Sequence, residues 1–178
     1  MKQNYCAFCS EKLSGEVCDC CGKSITDYHT APHWLLPGTV LAGKYEVGAV
    51  LGEGGFGITY IGRDTNLDMK VAIKEYFPSG VVNRNNTSSM EISALVGDTQ
   101  ANFEKGKQGF LSEARTLAKF SNEQSIVSVR DFFEENNTAY IVMEYLEGID
   151  LKDFIAQNGK MSFGLAISML SPIMSSLS

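Results

Sequence analysis

The pattern of apolar and polar positions changes at Tyr45. Residues 45–51 read as a strand, a glycine cluster fills 52–57, and residues 58–62 are β-branched and aromatic again. Strand, glycine-rich turn and strand predict a hairpin. Residues 69–74 predict a third strand. Residues 79–103 are mostly polar, with Asn83, Asn85, Asn86, Ser88 and Ser89, and are too long for an ordinary connection, so they read as an insertion. Over 104–120, Phe110, Leu111, Ala114, Leu117 and Ala118 recur at helical spacing. Residues 127–133 and 139–145 flank Asn136-Asn137 and predict a second hairpin. Two helices are expected at about 150–157 and 163–177. The second places Phe163, Ala166, Ile167, Leu170, Ile173, Met174 and Leu177 on one face, with Pro172 expected to kink it. No internal repeat is expected.

The stretch before Tyr45 is different. Residues 1–24 are Cys-rich with almost no large aliphatic side chains, so they cannot build an apolar core alone. Residues 25–44, with two prolines and no clear period, read as a linker. The expected organisation is therefore a small module at 1–24, a linker at 25–44, a main unit at 45–149 carrying the insertion 79–103, and a final helical segment at 150–178.

Composition narrows the function. With 44% apolar and 20% charged residues the chain can bury a core. Fifteen basic against 21 acidic residues leave a net charge of −6, which counts against nucleic acid as a partner. The N-terminus lacks the apolar run of a signal peptide, and no apolar stretch reaches the roughly 18–20 residues that span a bilayer. A cytoplasmic location and no membrane segment are expected.

All five cysteines lie between positions 6 and 21. Disulfide staples would be spread through a secreted fold, whereas clustering points to metal. Cys6-x2-Cys9 and Cys18-x2-Cys21 are two pairs separated by eight residues. Each such turn supplies two thiolates, and Zn²⁺ takes four soft ligands in a tetrahedron. Gly22 eases the second turn. Structural Zn²⁺ held by Cys6, Cys9, Cys18 and Cys21 follows. Cys20 stays outside the set, and His29 and His33 are expected in a solvated linker. The module resembles a bacterial zinc ribbon.

Gly52, Gly54 and Gly57 form G-x-G-x-x-G. A dinucleotide fingerprint needs a helix directly after the glycines, but residues 58–62 are strand-like. A P-loop needs Lys and Ser/Thr after its last glycine, and here Ile58 follows. A glycine hairpin folded over nucleotide phosphates remains. It requires a lysine on the next strand and a carboxylate on a following helix. Lys74 and Glu113 supply them.

On these motifs the chain, over about residues 38–178, resembles the N-terminal lobe of eukaryotic-like bacterial serine/threonine protein kinases that carry an N-terminal zinc ribbon. The resemblance implies an α+β fold. Its parts are a five-stranded antiparallel sheet plus one helix, the first helices of a C-terminal lobe, and the ribbon in front. It implies ATP with Mg²⁺, and protein substrates carrying Ser or Thr. Lys74 would hold the α and β phosphates and Glu113 would orient it. Leu51 and Ala72 match adenine-sandwiching positions, and Thr59 stands where the family motif usually has Val. Met143 would be the gatekeeper. The Glu144 carbonyl and Leu146 amide would meet the adenine edge, and Asp150 the ribose.

The segment Val129-Arg130-Asp131-Phe132-Phe133 looks like a degraded catalytic or metal-binding motif, but it precedes residues 142–146, which match the family's hinge, whereas those motifs follow the hinge. Asp131 is expected to be a solvated strand residue. No His-Arg-Asp, Asp-Phe-Gly or Ala-Pro-Glu occurs in the sequence. The catalytic Asp and the Mg²⁺ ligands are thus absent from this chain. The chain is expected to be a fragment that is inactive alone, its remaining C-terminal lobe lying in the full-length protein. The alternative is a non-catalytic nucleotide-binding or adaptor module that docks through its zinc ribbon.

Overall fold

The computed structural model describes residues 5–84, 88–94 and 99–176. In chain order its elements are β1 (Val40–Leu41), β2 (Tyr45–Gly54), β3 (Gly57–Asp64), β4 (Met69–Tyr76), β5 (Val82–Asn83), β6 (Ser93–Ala94), α1 (Thr99–Leu117), β7 (Val129–Glu135), β8 (Thr138–Glu144), α2 (Leu151–Asn158) and α3 (Phe163–Ser176). One antiparallel sheet runs in the order β1-β2-β3-β4-β8-β7, and β5 pairs with β6 as a separate small hairpin. The five long strands are those anticipated. The sixth, β1, comes from the supposed linker, because Val40 and Leu41 find register opposite Glu46 and Tyr45.

Strand β4 is the axis of the sheet, paired along its length with β3 and β8. Its side chains alternate between faces. Val71, Ile73 and Glu75 lie on one face with Ile58, Tyr60, Tyr140 and Val142, and all seven are buried. Ala72, Lys74 and Tyr76 lie on the other, where α1 packs. The α1 positions Phe103, Lys107, Phe110, Leu111 and Ala114 are buried, the i, i+4, i+7, i+8, i+11 stripe of a helix on a sheet. Tyr76 stacks against Phe103 and Phe110 at ring distances of 5.4 and 5.5 Å. Lys107 is buried but satisfied by Glu104 and Glu134 at 2.9 and 3.0 Å. Helix α1 starts at Thr99, earlier than the apolar spacing indicates, because residues 100–102 are exposed and add nothing to the apolar stripe.

Ahead of the sheet, residues 5–24 form two matching loops. Cys6 N–H donates to the Glu11 carbonyl as Cys18 N–H donates to Lys23. Bridges Tyr5–Lys12 and Val17–Ser24 close them. This is an internal repeat at an offset of twelve residues, contrary to the sequence expectation. Only the cysteines are shared between the copies, so the similarity lies in backbone geometry rather than in residue identity. Ser10 and Gly22 occupy equivalent left-handed positions, φ 58° and 70°.

This Cys-rich segment docks against the sheet. Ala49 N–H donates to the Ala7 carbonyl at 2.7 Å, and a Cβ at Gly48 would overlap that carbonyl and Ile61. Arg63 donates to the Ser10 carbonyl at 2.7 Å, and Lys70 pairs with Glu11 at 2.7 Å. Among the described residues no helix is long and apolar enough to cross a membrane.

Candidate functional site

The glycine turn is built by β2 and β3, whose register closes as Gly52–Thr59, Glu53–Ile58 and Gly54–Gly57. A Cβ added at Gly52, Gly54 or Gly55 would meet nothing, so these backbones stand free for a ligand's approach. Gly57 is different: a Cβ there would run into the Glu75 carbonyl, so the glycine permits β3 to lie close on β4. The tip is tethered from behind, Phe77 N–H donating to the Phe56 carbonyl and Ser79 N–H to that of Gly55.

Lys74 lies opposite Thr59 on the face of β4 that α1 covers. Its ammonium sits 5.5 Å above the Phe110 ring and 4.0 Å from the Glu113 carboxylate. Both side chains keep solvent access, 36% and 57%. The pair is loose and its ammonium has donors to spare. Ala72 pairs across with Met143, and Val71 with Glu144, so the end of β8 lies beside β4. Glu144 is fixed both ways, its N–H donating to the Ser128 carbonyl and its carboxylate accepting from Ser128 N–H at 2.7 Å. Leu51 and Leu146 are exposed. Asp150 caps α2, accepting from Asp153 N–H at 2.7 Å.

Directly after Lys74 comes a group the sequence reading missed. Glu75 is fully buried, and Arg84 closes on it with contacts of 2.5 and 2.9 Å. Tyr60 and Tyr140 donate to the same carboxylate at 2.9 and 2.8 Å. Arg84 also donates to the His33 carbonyl and to the Tyr60 hydroxyl. Burial opposes the Arg84 charge, yet Glu75 more than compensates and holds its pKa above the ordinary value. Burial, with the Glu75 charge added, pushes both tyrosines up. Thus Arg84, in the polar insertion, is a core residue. The available sequence signal was a glutamate at a core-facing alternate position of an apolar strand.

Two further expectations are corrected. His33 is not a solvated linker residue: its Nε2 meets Glu53 at 2.9 Å and its ring stacks on Phe77. Asp131 is half-buried rather than solvated, accepting from Tyr45 at 2.8 Å and Lys44 at 2.9 Å. Asn85, Asn86 and Leu177 lie outside the described residues.

The second constellation is Cys6, Cys9, Cys18 and Cys21, whose four sulfurs all lie within 4.8 Å of one another. The Cys6–Cys21 and Cys9–Cys18 sulfurs are 3.6 and 3.5 Å apart. A tetrahedron of 2.3 Å Zn–S bonds has edges of about 3.8 Å, so this donor set fits the ion. Burial pushes the Cys6 and Cys9 thiols up, whereas backbone N–H groups of Cys21 and Cys20 bring Cys18 down to about 7. A cation among them would favour all four thiolates. Cys20 is exposed and outside the cluster.

With this geometry in place, comparison with known proteins is informative. The protein kinase domain profile matches residues 45–178. Serine/threonine-protein kinase PrkC of Bacillus subtilis is 30% identical over 143 residues, covering 80% of this chain and 19% of the relative. A probable serine/threonine-protein kinase of Clostridium perfringens, CPE1738, is 32% identical over 132 residues, 74% of this chain and 16% of the relative. Among solved structures, the PpkA-294 apo form aligns with a TM-score of 0.65 at 36% identity, covering 71% of this chain and 43% of that one. The Mycobacterium tuberculosis PknI kinase domain shares the fold, at a TM-score of 0.59 and 20% identity, over 81% of this chain and 49% of that one. This chain spans about a fifth of the length of these curated relatives.

Proposed function

The chain belongs to the protein kinase family, and on that premise we propose that it is the ATP-binding part of a serine/threonine kinase acting on proteins. The observation that carries this reading is Lys74, presented on β4 opposite the open glycine turn with Glu113 4.0 Å away. The turn amides cover the phosphates. Lys74 neutralises the α and β phosphates as a compact point charge, and Glu113 limits where it can swing. Leu51, Thr59 and Ala72 bound the adenine, Met143 sets the depth of the pocket, and the Glu144 carbonyl and Leu146 N–H read the adenine edge. Asp150, while capping α2, faces the ribose. Mg²⁺ carried with ATP would offset the negative charge of the phosphates; no described residue is assigned to it.

The ribbon, residues 1–24, is read as a structural zinc module held by Cys6, Cys9, Cys18 and Cys21. It is joined through 25–44 to a lobe at 45–149, with 150–178 opening a second lobe. A cytoplasmic setting keeps such thiols reduced. In a full-length protein containing this chain, Lys74→Ala should abolish phosphoryl transfer to protein, and Glu113→Gln should weaken it less. Near-normal transfer in Lys74→Ala overturns the site. Metal analysis should find one zinc per chain, lost when the four cysteines are changed to serine.

A further inference from the structure

The glycine turn is held from outside by residues that neither the kinase motifs nor the zinc motif includes. Glu53 stands between Gly52 and Gly54. Both of its carboxylate oxygens are engaged, one by His33 Nε2 and one by Trp34 Nε1, each at 2.9 Å. Burial alone would raise this carboxyl, but the two bonds outweigh it and hold its pKa below the ordinary value. The holders are themselves anchored. The His33 ring stacks on Phe77 and its carbonyl is gripped by Arg84. Next to Trp34, Leu35 is fully buried and its N–H donates to Tyr60. Trp34 stacks on Tyr28, whose hydroxyl accepts from Val50 N–H at 2.9 Å on the strand leading into the turn. The edge of Tyr28 meets Phe8, which sits between Cys6 and Cys9.

We propose that His33 and Trp34 are positioning residues for the nucleotide site, clamping the glycine turn through Glu53. This rests on reading the turn as the phosphate cover. A run of glycines has more conformational freedom to lose than any other backbone. Ordering it before the nucleotide arrives removes part of the cost of binding. The clamp has two roots: the buried Arg84 under the sheet, and the Cys-rich ribbon reached through Phe8 and Tyr28. It therefore joins the module in front of the kinase fold to the part that meets ATP.

The test uses the whole 178-residue chain, with two readouts: amide hydrogen exchange over residues 51–57, and affinity for a fluorescent ATP analogue with Mg²⁺. Glu53→Ala should speed exchange in the turn by about tenfold and weaken the analogue by about threefold to tenfold, with the unfolding midpoint unchanged. Trp34→Phe keeps the stack on Tyr28 and loses the N–H, so it should show the same changes to a smaller degree. Glu53→Gln retains a carbonyl acceptor and should recover most of the loss; a merely structural role would not produce that rescue at constant stability. Wild-type exchange and affinity in Glu53→Ala overturn the clamp. If the wild type and Lys74→Ala bind the analogue equally, the nucleotide reading fails instead. Exchange then decides the clamp alone: faster exchange in Glu53→Ala supports it, unchanged exchange overturns it.

Discussion

Lys74 and Glu75 are neighbours on β4, and each has an ion-pair partner, yet the two pairs are opposites. Glu75 and Arg84 are shut away from water and saturated by Tyr60, Tyr140 and the His33 carbonyl. Lys74 and Glu113 are 4.0 Å apart and both reach solvent. The strand's alternation sends Glu75 to the face shared with Tyr60 and Tyr140, and Lys74 to the face that α1 packs on, where its ammonium still reaches solvent. A buried pair that has used all its hydrogen-bonding capacity can only hold structure. A loose pair whose members are both partly exposed can accept a third charged group between them. Adjacent charged residues are thus divided between scaffold and site by how completely each ion pair is enclosed, since both faces of β4 are packed and, of the two residues, only Lys74 keeps a path to solvent.

The largest effect is expected at the buried pair. Arg84→Ala leaves Glu75 buried without its counter-charge and should cost about 3–5 kcal/mol in urea unfolding. Because Arg84 also holds the His33 carbonyl, exchange at residues 33–35 should rise with it. Replacing both partners by apolar residues, Glu75→Leu with Arg84→Met, should recover only part of that loss: no orphaned charge remains, but the buried Tyr60 and Tyr140 hydroxyls lose their acceptor and the His33 carbonyl its donor. At the looser pair, Lys74→Ala should change stability by less than about 0.5 kcal/mol, because its ion pair with Glu113 is long and partly exposed. Glu113→Gln should change it no more, and should weaken nucleotide binding less than Lys74→Ala does. A third pair, Lys44–Asp131, is intermediate in exposure. Burial opposes the Asp131 charge, but Lys44 and Tyr45 prevail and lower its pKa. Its contribution is therefore complete above the unfolded aspartate value of about 4 and is lost as pH falls through the lowered folded value. The stability difference between wild type and Asp131→Asn should accordingly shrink to nothing in acid. This is the smallest of the effects.

What could be read from the sequence was local. The long strands, the glycine turn, the helix carrying Glu113 and the paired cysteines each announce themselves within a few residues, through alternation, helical spacing or ligand spacing. What could not be read depends on partners distant along the chain. Arg84 looks like one polar residue in a polar stretch, and only the fold shows that the insertion turns it under β4. His33 and Trp34 lie about twenty positions from Glu53, and no periodicity links them. Strand β1 is two residues long and exists only because β2 offers it an edge. Residues 100–102 of α1 are exposed and add nothing to the apolar stripe, so its start was misjudged. The buried Glu75 was half legible, as a charge out of place in Met69–Tyr76, but its partner was not.

The division of labour on β4 is tested most directly by thermal unfolding of the wild-type chain and Lys74→Ala, each with and without MgATP. A ligand that binds only the folded state raises its stability in proportion to the logarithm of occupancy. The account predicts equal midpoints for the two proteins without nucleotide, a rise with MgATP in the wild type, and no rise in Lys74→Ala. Equal rises in both proteins would contradict it, because Lys74 would then be no part of the nucleotide site.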